Sequence, residues 1–139
     1  MELCIISRDE LRIVDLDEID FIKACGNYSD FHYRNGVVKC ELFCLSHYDS
    51  VIASLYGSNN PFYRLGRSLL VNIRHVCSVN IRMSTLTFKG NGTKIIVPRT
   101  PSKELKNFFE AKYAKNVQTP NHGGSDSNSA CLDSMLDQC

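Results

Sequence analysis

Two arginines three residues apart, Arg64 and Arg67, stand in the otherwise apolar stretch Phe62-Tyr63-Arg64-Leu65-Gly66-Arg67-Ser68-Leu69-Leu70-Val71-Asn72-Ile73. An arginine side chain presents a planar fork of N–H donors that can bond guanine O6 and N7 together or clasp phosphate oxygens. The surroundings favour such a partner, because residues 50–103 contain no Asp or Glu yet carry Arg64, Arg67, Arg74, Arg82, Lys89, Lys94, Arg99 and Lys103. A basic run without carboxylates is the electrostatic footprint of a surface that meets phosphate, although a solvated basic face would look the same.

The 139 residues are enough for one domain with a single core and a tail. The formal net charge of +1 conceals an asymmetry. Residues 1–20 hold seven acids against two bases, and residues 21–115 hold fourteen bases against five acids. Seven cysteines, Cys4, Cys25, Cys40, Cys44, Cys77, Cys131 and Cys139, are scattered through apolar segments without the rhythm of a disulfide scaffold, and they read as reduced, mostly structural thiols. The amino terminus lacks the basic and apolar regions of a signal peptide, and no apolar run reaches transmembrane length, so the expectation is a cytoplasmic protein.

The elements that must position the arginines are mostly strands. Residues 3–7 and 11–16 read as a first hairpin. Residues 21–25 and 28–34 flank Gly26-Asn27, with Tyr28, Asp30, His32 and Arg34 on one face and Ser29, Phe31 and Tyr33 on the other. Asn35-Gly36 predicts a type I′ turn and an antiparallel return over 37–42. The period then changes: Tyr48, Val51, Ile52, Leu55 and Tyr56 recur at helical spacing, with Ser46 as cap, Asp49 as capping-box acid, Leu45 as staple and Gly57 as the stop. Short strands follow over 62–65, 69–73, 76–79, 83–89 and 93–97, the last two joined by Gly90-Asn91-Gly92. A closing helix is expected from about Ser102, with Pro101 at its start and Leu105, Phe108, Phe109 and Tyr113 on its apolar face. The domain is expected to span 1–115. Residues 116–139 have too few apolar groups to offset the entropy of ordering and read as a disordered tail, with a helical turn conceivable over 132–136.

Several chemistries find no support. There is no phosphate-cradling glycine loop with lysine, no Gly-x-Ser-x-Gly and no His-Glu-x-x-His, so no enzyme is expected. Cys40, Cys44 and His47 lack the paired Cys-x-x-Cys arms of a zinc site, and neither a metal nor another cofactor is expected. His32 and His75 lie among apolar neighbours, as structural histidines do.

Three segments taken together resemble the LytTR family, the DNA-binding domain at the C-terminus of many bacterial response regulators. They are Asp17-Glu18-Ile19-Asp20-Phe21-Ile22-Lys23-Ala24-Cys25-Gly26-Asn27-Tyr28; the arginine-bearing stretch itself, similar to the family's Phe-x-Arg-x-His-Arg-Ser-x-Leu-Val-Asn; and Lys94-Ile95-Ile96-Val97-Pro98-Arg99 before the closing helix. The middle segment is the specific one. The resemblance implies a mainly β fold of elongated antiparallel β-sheets, with one amphipathic helix packed between them and a C-terminal helix. It also implies sequence-specific binding of double-stranded DNA by a bacterial transcriptional regulator.

Loops rather than a recognition helix would enter the major groove, and by position these are residues 26–30, 66–68 and 98–103. Ser29, Arg67 and Arg99 match residues that approach base edges in relatives, with Asn27, Tyr28, Ser68 and Lys103 as neighbouring base or phosphate contacts. Two copies on direct-repeat sites are implied, and an unknown protein partner could supply the signal. The sequence departs from the family pattern at Gly66, where histidine is common, and at Pro98, where a hydroxyl residue is frequent. With the chain taken as complete from Met1, no receiver domain is expected before the segment, and control is expected from something other than phosphorylation of a linked aspartate. The rival readings are a LytTR-like protein-interaction module that has lost DNA binding, and an RNA or single-strand binder using Phe31 and Tyr33 as stacking platforms.

Overall fold

The computed structural model describes residues 1–116 and 118, and the expectations for the tail lie outside them. The chain divides into two compact units, Met1–Val76 and the part that begins at Cys77. In the first unit, β1 (Glu2–Ile6) and β2 (Leu11–Asp15) form a two-stranded hairpin. A five-stranded antiparallel sheet contains β3 (Ile19–Cys25), β4 (Tyr28–Tyr33), β5 (Val38–Glu41), β6 (Phe62–Leu65) and β7 (Leu69–Asn72), in the spatial order β5-β4-β3-β7-β6. The helix α1 (Leu45–Tyr56) connects β5 to β6.

These elements share one core. Leu3, Ile5 and Val14 from the hairpin, Ile22, Phe31, Phe62 and Leu70 from the sheet, and Leu45, Tyr48 and Ile52 from α1 are all buried together. The Phe31 ring meets Tyr48 edge-on at 4.9 Å between centroids. The Tyr48 hydroxyl donates to the Leu42 carbonyl, which fixes the link between β5 and α1.

Local geometry departs from expectation where the backbone had alternatives. The turn after β4 is not type I′, because Gly36 has positive φ (92°) and Asn35 does not. Tyr33 N–H bonds to Val37 O and Gly36 N–H to Tyr33 O, the pattern of a three-residue loop with a glycine bulge, while Asn35 Oδ1 accepts Val37 N–H. At the start of α1, Ser46 does not cap. Cys44 occupies the cap position without a side-chain bond, Leu45 lies inside the first turn and buried rather than acting as a staple, and Asp49 sits farther along the helix. The helix does stop at Gly57, whose φ is 64°.

Asn72 closes the sheet. Its Nδ2 donates to Ile19 O at 3.1 Å and its Oδ1 accepts Arg74 N–H at 3.1 Å, which caps the short 3-10 turn Ile73–His75. Asn72→Ala removes the cap and leaves a buried carbonyl without its donor. The expected cost is about 2 kcal/mol in chemical denaturation, against a few tenths for a surface asparagine. Nearby, His75 Nδ1 lies 3.0 Å from Asp20 Oδ1, and His32 stacks on Phe21 at 4.0 Å, where burial lowers its pKa.

The second unit holds β8 (Val76–Asn80), which begins at the boundary, β9 (Thr85–Phe88), β10 (Lys94–Ile96) and α2 (Arg99–Lys112). The three strands form a sheet in the order β10-β9-β8. Among the described residues, Leu86, Phe88, Val97 and Leu105 are its buried apolar side chains. Cys4, Cys25, Cys40 and Cys44 are free thiols, but they are exposed rather than built into the core.

Candidate nucleic-acid interface

One end of the five-stranded sheet gathers most of the predicted contacts in the first unit. Cys25 pairs with Tyr28, so Gly26-Asn27 forms a two-residue turn between β3 and β4, with Gly26 at φ 60°. A glycine with positive φ at the first central position is the signature of a type II′ hairpin. Leu65 pairs with Leu69, which leaves Gly66, Arg67 and Ser68 as the corner between β6 and β7. The two turns are neighbours because β3 pairs with both β4 and β7, and Ala24 N–H donates to the Ser68 carbonyl at 2.8 Å.

Gly66 also has φ 60°. This backbone is left-handed, where glycine is free of the strain a side chain would meet. Asn27, Tyr28, Arg67 and Ser68 are all exposed, Tyr28 at 49%. Among the described residues, no carboxylate pairs with the Arg67 guanidinium and no group bonds the Ser68 hydroxyl.

Ser29 is the exception. It shares the inward face of β4 with Phe31, is 0% exposed, and donates its hydroxyl to Phe43 O at 3.0 Å. Its role is to hold the β5–α1 link against the sheet, so it is withdrawn from the base-contacting set. The single-strand platform fails for the same reason. Phe31 is fully buried, and Tyr33 is half-buried with Lys39 over its ring.

Beside Ser29 in the register lies Glu41, a buried carboxylate. Arg12 Nη2 approaches its Oε2 at 3.0 Å, an ion contact not aligned as a hydrogen bond. Burial pushes the Glu41 carboxyl above the usual carboxylate range, and the Arg12 guanidinium draws it back. An acid whose folded pKa is raised has its full stabilising share below the ordinary carboxylate pKa and loses it as pH rises. Arg12→Ala deepens that loss. The expected penalty is negligible near pH 3 and grows to about 1 to 2 kcal/mol at pH 7, less than the 3 to 5 of fully buried pairs because Arg12 is a third open to water. Denaturant unfolding of both proteins across this pH range measures it.

In the second unit, Arg99 is not in a loop. Pro98 occupies the cap of α2 and Arg99–Lys112 is helical, so the expected loop over 98–103 is replaced by a cap and the first helical turns. Pro101 is no obstacle there, since the first N–H groups of a helix lack intrahelical partners. Ser102 turns inward, with its hydroxyl on Val97 O at 3.0 Å and its N–H on Pro98 O at 3.0 Å. Arg99 and Lys103, four residues apart, share an exposed face in a stretch without an acid in the first turn. The positive end of the helix dipole adds to their attraction for anions.

A family model of the LytTr DNA-binding domain matches residues 9–110. The chain belongs to the LytTR family. LytTR domains are DNA-binding output domains, and theirs is not a catalytic fold. The LytTr DNA-binding domain of a methyl-accepting/DNA response regulator from Bacillus cereus has a similar fold, with a TM-score of 0.56 and 14% identity over 78% of this chain and 95% of that one. A search of curated proteins finds no match. The described residues of this LytTR chain form mainly antiparallel sheets with two α-helices. No helix among its described residues is long and apolar enough to cross a membrane.

Arg64 stands outside the set of DNA contacts expected from the sequence. It lies in the specific motif and its side chain is 29% exposed, but it faces the protein. The signal available was the spacing of the motif itself, with an arginine two residues before the corner glycine.

Proposed function

We propose that this LytTR chain is a sequence-specific duplex-DNA-binding regulator of transcription that reads the major groove with Arg67 and Arg99. The observation that carries the reading is the exposed Arg67, whose guanidinium pairs with no carboxylate among the described residues, side by side with the Gly26-Asn27 turn, in a chain of a DNA-binding family. Arg67 in the first unit and Arg99 in the second are the base readers. Asn27, Tyr28, Ser68 and Lys103 hold the phosphate backbone and set the register. Two copies occupy direct-repeat sites, the protein acts in the cytoplasm, and a protein partner supplies its signal.

Binding of the chain to a random-sequence duplex and to the separated strands, measured across a salt series, tests this reading. The duplex should bind more tightly, and log affinity should fall with log salt at a slope of about −0.9 for each phosphate neutralised. Equal or tighter binding of the single strands would support the rival single-strand reading. Absence of nucleic-acid binding would support an interaction module.

A further inference from the structure

Arg64 on β6 engages three partners with one guanidinium. Its Nε donates to Gly66 O at 3.1 Å, its Nη2 to Arg67 O at 3.1 Å, and its Nη1 to Asp49 Oδ2 on α1 at 3.2 Å. The two carbonyls belong to the peptide groups on either side of the Arg67 Cα. Fixing both planes fixes the direction in which the Arg67 side chain leaves the backbone. Asp49 holds the clamp from the helix and supplies the opposite charge, the last acid before the carboxylate-free stretch.

We infer that Arg64, anchored by Asp49, is a positioning residue for base reading by Arg67 and does not itself contact DNA. The inference rests on the duplex-reading function proposed above. The physical reason is pre-organisation. A corner of three residues with a glycine at its head has many backbone states. A base contact by a guanidinium fork demands one of them, so ordering the corner before binding removes an entropic cost from recognition. Phosphate contacts by other residues tolerate a loose corner, and the clamp therefore acts on selectivity rather than on overall attraction. Lysine cannot replace Arg64, because an ammonium on a flexible stem cannot reach two carbonyls and a carboxylate in the fixed geometry of a planar fork.

The test uses the full chain and the duplex most enriched from a random pool, against a scrambled duplex of the same composition. Arg64→Lys should lower the affinity ratio between the two about tenfold, within the range of a lost bidentate contact, and leave scrambled-duplex affinity and its salt slope unchanged. Asp49→Asn, on the exposed side of α1, should give a smaller loss of the same kind and guards against a folding defect in Arg64→Lys. In an Arg67→Ala background, Arg64→Lys should add nothing, because the residue it positions is gone. Unchanged selectivity in both Arg64→Lys and Asp49→Asn, or a full further loss in the double variant, overturns the positioning role while the duplex-reading function stands. A wild-type chain that does not distinguish the two duplexes overturns the function and the positioning role with it.

Discussion

Arg67→Ala is expected to cut the preference for the best duplex over a scrambled one by about 5- to 150-fold, the equivalent of about 1 to 3 kcal/mol for one guanidinium-to-guanine contact. The fold should be untouched. Arg67 is exposed at the corner, no carboxylate among the described residues pairs with it, and the corner's shape is set by Gly66 and by bonds to backbone carbonyls that alanine retains. Thermal unfolding should therefore shift by no more than a surface substitution does, about ±0.5 kcal/mol. Arg67→Lys should lose most of the same selectivity and keep the charge, because a lysine offers a point charge rather than a fork. Arg99→Ala should lower selectivity by a similar factor at a different base position. Competition gel shifts against scrambled duplex measure all three.

Phe31→Ala should remove about 3 to 5 kcal/mol of stability, a large part of the 5 to 15 that a domain of this size has. The ring is 0% exposed, lies in the core shared by hairpin, sheet and helix, and meets Tyr48 edge-on. No neighbour can fill the space, since Ile22, Ile52 and Leu70 are themselves fully enclosed. Binding to DNA should fall with it, but through loss of the folded state. The two substitutions separate cleanly: Phe31→Ala lowers the unfolding midpoint and binding together, whereas Arg67→Ala lowers selectivity at an unchanged midpoint. Calorimetry beside the gel shifts distinguishes them.

Much of this was legible in the residues. The alternation over 28–34 gives the two faces of β4 correctly, and the same alternation places Ser29 with Phe31 on the inward face. Resemblance by position makes Ser29 a base contact, but period-two burial decides otherwise. The helical period over 48–56 finds α1, which starts at Leu45, two residues earlier than a Ser46 cap implies. Ser46 and Asp49 look like a capping box in one dimension, while Asp49 is held by Arg64 fifteen residues away. A tertiary ion pair of that kind leaves no local trace. Asn35-Gly36 marks a turn but not its type, since a three-residue loop with only Gly36 at positive φ relieves Asn35 of the left-handed conformation. Pro101 suggested a later start for α2, although proline in a first turn costs no hydrogen bond. The role of Arg64 needed coordinates, because an arginine among arginines in an acid-free stretch reads as a partner for DNA, and only its bonds to Gly66, Arg67 and Asp49 show that it faces the protein.

Selection of bound sequences from a random duplex pool by the full chain, repeated with Arg67→Ala, tests the duplex-reading account most directly. The account predicts an enriched site that contains guanine, present in two copies about one helical turn apart, with information lost at a defined base position in the Arg67→Ala pool. A wild-type pool that remains random after repeated rounds, or one whose enriched site is unchanged by Arg67→Ala, would contradict it.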